Sequence, residues 1–396
     1  MYIGFDTNKI TPNVGTQMEG YTPRNSNSIH DDLFESVLYM KNEFKLLFIS
    51  LDIVAIPGFR ADRIKRLILD KYGIKGDQVI IAAIHTHSGP TVTDLLLDNP
   101  QIENDYWQYI TDQVMGSVKV AIEDNTTCTA ELTSSKVNHQ AYGNRNVEGA
   151  AFNDEILELR FLKSGKIIES ILSIATHPTV MNVKNQAITS DLIGQIRKNY
   201  QNKYGIKPII FLSDCGDTST RFSRRESTFG EVERIASLVT DSLQDDRTSV
   251  KKLTDLKIKK IDYICDYNPI TSDLAVALWQ KINQAYQKDP SQKGILDTYK
   301  HIRYYGHTHF KTSAYIYEFS DLRIVCYPGE LVNALGKQIR DCDNKKTLLI
   351  TLANDYRGYS VDKNEFGKYF ESYNSVFLKG MADEFISKIC QSIVSE

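Results

Sequence analysis

The chain has 396 residues, 41% of them hydrophobic and 24% charged, with a formal net charge of -3. That composition excludes disordered and fibrous classes and leaves room for a large core. It offers no Lys/Arg block to a phosphate backbone and no apolar run long enough for a transmembrane segment, so neither a nucleic-acid partner nor a membrane span is expected.

In chain order, apolar and alternating runs predict strands at 45–54, 78–83, 156–161, 167–174, 208–212, 314–318, 322–327 and 347–352. Helical periodicity fits 59–72, 105–123, 191–200, 229–243, 274–286, 330–342 and 381–394. Strands and helices intermix over the whole length, which predicts an α/β fold with mixed β-sheets packed against helices. The basic run 257–261 reads as a solvated strand or helix face. The segment 138–154 is rich in Gly and Asn and poor in periodicity, as site-lining loops often are. Residues of about 245–312 read as an accessory lobe: a lid, a substrate wall or a surface insertion. The six cysteines are widely spaced and form no CxxC pair, so most are expected to be buried small hydrophobes rather than staples. Residues 1–6 open no signal peptide, which makes the cytoplasm the expected location.

Five strand ends concentrate the chemistry. The run 79–84 leads into His85-Thr86-His87-Ser88-Gly89-Pro90. Residues i and i+2 share a face of an extended chain, so both imidazoles can enter one cleft, where imidazole is a good zinc ligand. The run 171–175 delivers Thr176-His177-Pro178, and the proline keeps His177 extended. The apolar run 209–212 ends in Asp214-Cys215-Gly216-Asp217-Thr218-Ser219, either a reactive loop or an Asp/Gly turn. After 322–327 comes Pro328-Gly329-Glu330, with Glu330 in a first helical turn as a capping carboxylate or a rigidly held ligand. Asn354-Asp355-Tyr356-Arg357-Gly358-Tyr359 follows the last strand, and phenolic oxygens there can bind a cation or an oxyanion. His307-Thr308-His309 repeats the doublet in a polar context and reads as surface or pocket wall; His30, His139 and His301 have weaker claims still. Dinucleotide, P-loop, His-Glu-x-x-His and Gly-x-Ser-x-Gly signatures are all missing.

Taken together and in order, these motifs resemble the catalytic domain of the neutral/alkaline, non-lysosomal ceramidases. Ile10-Thr11-Pro12, Gly20-Tyr21 and Asn144-Arg145-Asn146 add to the match, which runs along nearly the full chain. The resemblance implies one metallohydrolase domain over 1–396 and a zinc-dependent hydrolase cleaving an N-acyl amide, with one Zn2+ per chain. It implies zinc ligands His85, His177, Glu330 and Tyr359. His87 is implied beside the attacking water or substrate, Arg145 on the substrate, and Ser219 at a functional serine. Tyr369 or Tyr373 stands for a second family tyrosine. The family's C-terminal β-sandwich is expected to be absent. Thr91-Val92, Asp214-Cys215 and Thr220 depart from the usual residues, so the substrate is expected to be lipid-like or a small acylated molecule, not necessarily ceramide. Esterase or carbohydrate-deacylase chemistry, and a non-catalytic binding role, are the alternatives.

Overall fold

The computed structural model describes residues 1–93, 101–102, 104–244, 252–268, 273–288 and 308–395. Three mixed sheets carry the chain. In the first, β1 (Tyr2–Lys9), β2 (Phe34–Lys41) and β3 (Lys45–Leu51) are antiparallel, and β4 (Val79–Ala83) joins β3 in parallel. Between β3 and β4 the chain crosses over through α1 (Gly58–Tyr72), as a parallel pair requires; α2 (Asn104–Glu123) follows β4.

The second sheet repeats this plan. β5 (Thr129–Lys136), β7 (Glu155–Lys163) and β8 (Lys166–Ile174) are antiparallel, with the two-residue strand β6 (Gly143–Asn144) lying in the loop between β5 and β7. After α3 (Asp191–Tyr204), β9 (Ile209–Leu212) pairs in parallel with β8. The short β10 (Thr218–Ser219) and α4 (Phe229–Asp241) come next. In the third sheet β11 (Lys257–Tyr267), then α5 (Asp273–Lys288), leads to β12 (Thr308–Glu318) and β13 (Arg323–Cys326), all three strands antiparallel. After β14 (Glu330–Leu331) and α6 (Asn333–Arg340), β15 (Thr347–Ile350) closes the sheet in parallel with β13. The chain then runs through β16 (Tyr359–Ser360) to α7 (Met381–Val394).

Each sheet thus has one parallel edge, and the three edges meet. The Thr351 amide donates to the Leu212 carbonyl at 2.8 Å, Ser50 Oγ to the Ile210 carbonyl at 2.9 Å, and the Asn354 amide to the Ile81 carbonyl at 2.7 Å. Parallel strands buried on both faces read as continuous apolar runs, which is how 79–83 and 209–212 appear in the sequence. All of β4 and β9 is buried. Because the edges converge, their C-terminal loops open on one place, where open α/β sheets bind ligands.

Several expectations need correction. Glu330 does not start a helix: it lies in β14, paired in parallel with Tyr359, and α6 begins at Asn333. The 257–261 run, by contrast, is a partly exposed strand, the first of the two forms expected of it. Cys342 and Cys390 are not buried hydrophobes but a disulfide joining the segment after α6 to α7, whereas Cys265 and Cys326 are buried as expected and outside any disulfide, and Cys215, set apart by its acidic loop, is buried as well. Of the expected lobe at about 245–312, β11 and β12 are integral to the third sheet, and 245–251, 269–272 and 289–307 lie outside the described residues, as do His301 and His307. Among the described residues no helix is long and apolar enough to cross a membrane.

Candidate metal centre

The β4 end brings His85 inward with a left-handed backbone, φ 65°, a conformation that costs energy in a non-glycine residue and persists only where surroundings enforce it. The enforcement is visible: the His85 amide donates to the Ile53 carbonyl at 2.9 Å, and its ring Nδ1 lies 2.7 Å from the Val54 carbonyl. At the β8 end His177 is held alike, its amide on the Thr218 carbonyl at 3.0 Å and its Nδ1 2.6 Å from the Cys215 carbonyl. A carbonyl only accepts, so Nδ1 carries the proton in both rings and each Nε2 presents a lone pair.

Those lone pairs converge on a carboxylate. Glu330 Oε2 lies 2.7 Å from His177 Nε2 and 3.2 Å from His85 Nε2. The Tyr359 hydroxyl is 3.0 Å from His177 Nε2, and His87 Nε2 is 3.1 Å from His85 Nε2. Glu330 and His177 have no exposed surface and His85 has 1%. The Tyr356 hydroxyl donates to the other carboxylate oxygen, Oε1, at 2.7 Å. Burial pushes the Glu330 carboxyl up, but positive charge on the two imidazoles beside it, the role a bound cation would take over, outweighs burial and holds it well below the usual range. Burial, with Arg145 nearby, takes His177 down to about 4; burial and the other two imidazoles take His87 well below its ordinary value. Burial also holds the Tyr359 and Tyr356 hydroxyls well above theirs.

Three acceptors facing one another in a buried cluster repel unless a cation or protons lie between them, and burial makes protonated imidazoles costly. The His85, His87 and His177 group can hold a metal ion, its nitrogens lying within 4.8 Å of one another. His87 differs from the other two: its Nδ1 is buried without a hydrogen-bond partner. Its position is set instead by Gly20, at φ 95°, where a Cβ would come within 2.5 Å of the imidazole; by the Tyr21 ring 4.9 Å away; and by Arg24 Nη2, which donates to the His87 carbonyl at 2.6 Å. The N-terminal Gly20-Tyr21 turn therefore belongs to the site.

Arg145 arrives by a different route. β6 pairs with β10, and the Arg145 amide donates to the Asp217 carbonyl at 2.8 Å. Its guanidinium lies over the Tyr359 ring at 5.2 Å and the Phe370 ring at 5.7 Å, Nε donates to Glu371 Oε1 at 2.7 Å, and Nη2 is buried without a partner. Ser219 is buried in β10, its Oγ accepting from the Arg221 amide at 3.2 Å. Within 214–219 the acidic side chains are committed to structure: Asp214 accepts from Asn153 at 2.7 Å and pairs with Arg340, and Asp217 accepts the Asn333 amide at 2.7 Å. The segment holding Tyr369 and Tyr373 meets Arg145 through Phe370 and Glu371, which lie between them. His30 stacks on Phe229, His139 pairs with Asp154, and His309 pairs with Asp266 on the surface. Tyr356, Glu371 and Phe370 carried no assignment from sequence; Tyr356 was within reach, in the same motif as Tyr359.

No family model matches the sequence. Among solved structures, the chain superposes on a neutral ceramidase from Pseudomonas aeruginosa with a TM-score of 0.77 at 14% identity, covering 100% of this chain and 74% of that one. It superposes on a ceramidase complexed with C2 with the same TM-score at 13% identity, covering 100% and 75%. Over its whole length, this chain has the mixed-sheet α/β fold of a neutral ceramidase.

Proposed function

We propose that the chain is a zinc-dependent hydrolase that cleaves the N-acyl amide bond of a lipid-like or small acylated substrate. One observation carries the reading: the Nε2 lone pairs of His85 and His177 are aimed at a buried carboxylate, an arrangement that a divalent cation completes. His85, His177, Glu330 and Tyr359 would hold the ion, since both histidines have the Nδ1–carbonyl anchor that orients metal-ligating imidazoles. A bound zinc supplies Lewis-acid polarisation of an acyl carbonyl and makes water acidic enough to attack near neutral pH.

The rest is work for the chain's own groups. His87 lacks the carbonyl anchor, so its Nδ1 is free to carry a proton. It takes the proton that the attacking water loses and hands it to the nitrogen as the carbon–nitrogen bond breaks, leaving a carboxylic acid and an amine. Arg145, its Nε fixed by Glu371, offers the spare Nη2 to an oxygen of the substrate. Tyr356 fixes the Glu330 carboxylate, and Ser219 lies in the strand that pairs with the Arg145 segment. The ceramidase fold supports an amide over other acyl bonds.

The test joins elemental analysis of the purified protein to a panel of matched N-acyl amides and esters. One zinc per chain, lost in His177→Ala together with amide hydrolysis, is the expected result. Protein that takes up no zinc when it is supplied, or that keeps its full rate after chelation, ends the proposal.

A further inference from the structure

Helix α1 buries Ala61, Ile64, Lys65 and Ile68. The spacing i, i+3, i+4, i+7 is that of a core-facing stripe, so Lys65 holds a position the pattern gives to an apolar side chain. It is only 6% exposed. Lysine is almost never buried this far without an acidic partner. Among the described residues, however, no carboxylate comes within ion-pair distance of its ammonium. Its nearest company is the Tyr315 ring, 5.3 Å from Nζ to the centroid. The stem is packed in place: a Cβ built at Gly76 would lie 3.8 Å from both Cβ and Cδ of Lys65. Burial lowers the ammonium pKa to about 8, with Asp62 and Asp77 opposing that from a distance.

Lys65 lines a cavity of about 540 Å³ between α1 and the outer face of β11 and β12. That volume lies within the range of small-molecule pockets, roughly 300–1,000 Å³. Phe59, Leu69 and Tyr315 give it an apolar wall. Arg66 and Lys260 stand on its rim, and Lys260 is already engaged by Asp262 at 3.3 Å. Three cations therefore face the two carboxylates of Asp62 and Asp77, and Lys65, the buried one, has no acid at ion-pair distance among the described residues. A desolvated ammonium gains most from an anion that reaches it with charge-assisted hydrogen bonds.

We propose that this cavity is a binding site for a small organic anion, a carboxylate with a short apolar tail, whose acid group provides the counter-ion Lys65 lacks and whose tail lies on Tyr315, Phe59 and Leu69. The site is separate from the histidine cluster and does not depend on the reaction proposed there. The experiment is an NMR titration of the full chain carrying biosynthetic ¹³Cε-lysine, with hexanoate as probe and hexanol as the uncharged match. Hexanoate is expected to shift the Lys65 signal saturably at millimolar concentration and to raise its pH midpoint by about one unit or more, the effect of an adjacent opposite charge. Hexanol is expected to leave it in place. Lys65→Met, apolar and close in shape, is expected to weaken hexanoate binding by about tenfold or more. A Lys65 signal unmoved by hexanoate, or moved equally by hexanol, overturns the proposal, and the wild-type titration decides this even if the variant does not fold.

Discussion

The pocket around Glu330 and the groove beside Lys65 bury charge on opposite terms. Around Glu330 both carboxylate oxygens are engaged, the imidazoles are pinned by backbone carbonyls, and the acceptors converge on a point that suits positive charge. At Lys65 the charge is present and what is missing is the acid. Burying a charge costs several kcal/mol unless an opposite charge offsets it, so each assembly suits a bound counter-charge. The difference predicts opposite ligands, a cation in one and an anion in the other. It also predicts opposite consequences of mutation: loss of function at the first and a gain of stability at the second.

The largest effect belongs to the ligand histidines. His177→Ala is expected to lose bound metal and to cut amide hydrolysis by at least about 10³-fold, the several kcal/mol that a metal contributes to the transition state. A variant that keeps stoichiometric metal would show that His177 is not a ligand and that the remaining groups hold the ion without it. His87→Ala sharpens the contrast between anchored and unanchored imidazoles. It is expected to retain metal while kcat falls by about 10²–10⁴-fold, as for loss of a general acid–base group. If metal and activity vanish together in this variant too, His87 is a ligand and the proton must move through another group.

A smaller effect is expected one step out. Tyr356→Phe removes the hydroxyl that donates to Glu330 Oε1 and nothing else. Outer partners of metal ligands typically contribute about 10–100-fold in affinity, so zinc should bind weaker by that factor in a competition with a chelator. Unchanged affinity would show that β14, through its pairing with Tyr359, already holds Glu330 without help.

The parts of this site that were legible in the sequence are those delivered by continuous apolar strands. The runs 79–83 and 209–212 and the strand before His177 could be read because parallel edges are buried on both faces. Helix 381–394 could be read from its 3.6-residue stripe. What failed was non-local. Glu330 follows Pro328-Gly329 and looks like a helix start, but its backbone pairs with Tyr359, a partner that no local window contains. Arg145 was placed by resemblance alone, because the β6–β10 pairing that delivers it spans two residues on each side. The Val54 and Cys215 carbonyls that set the imidazole tautomers are backbone atoms and carry no residue signature. The Cys342–Cys390 pair is separated by 48 residues with no local motif. Lys65 was visible as a lysine in a helix, but its burial depends on the third sheet packing over it.

The smallest expected effect is on stability, and it tests the other half of the contrast. The Lys65 ammonium has its folded pKa lowered from 10.5 to about 8, so the native state favours the neutral amine while the unfolded chain favours the charged one. Below about pH 8 the group is charged in both states and the full burial cost is present. Between about pH 8 and 10.5 the unfolded state binds more protons than the native state, so stability rises with pH across that window and levels off above it. Lys65→Met removes the titrating group. It is therefore expected to unfold at higher denaturant than the parent at pH 7, by no more than about 3 kcal/mol, with the advantage shrinking as pH climbs from 8 towards 10.5. Chemical denaturation of both proteins at pH 7, 9 and 10 measures it. A pH-independent difference would mean that packing against Gly76 and Tyr315, and not the unpaired charge, governs the position. A parent stabilised by added hexanoate at pH 7, with the variant indifferent to it, would join the cost of that charge to the ligand that relieves it.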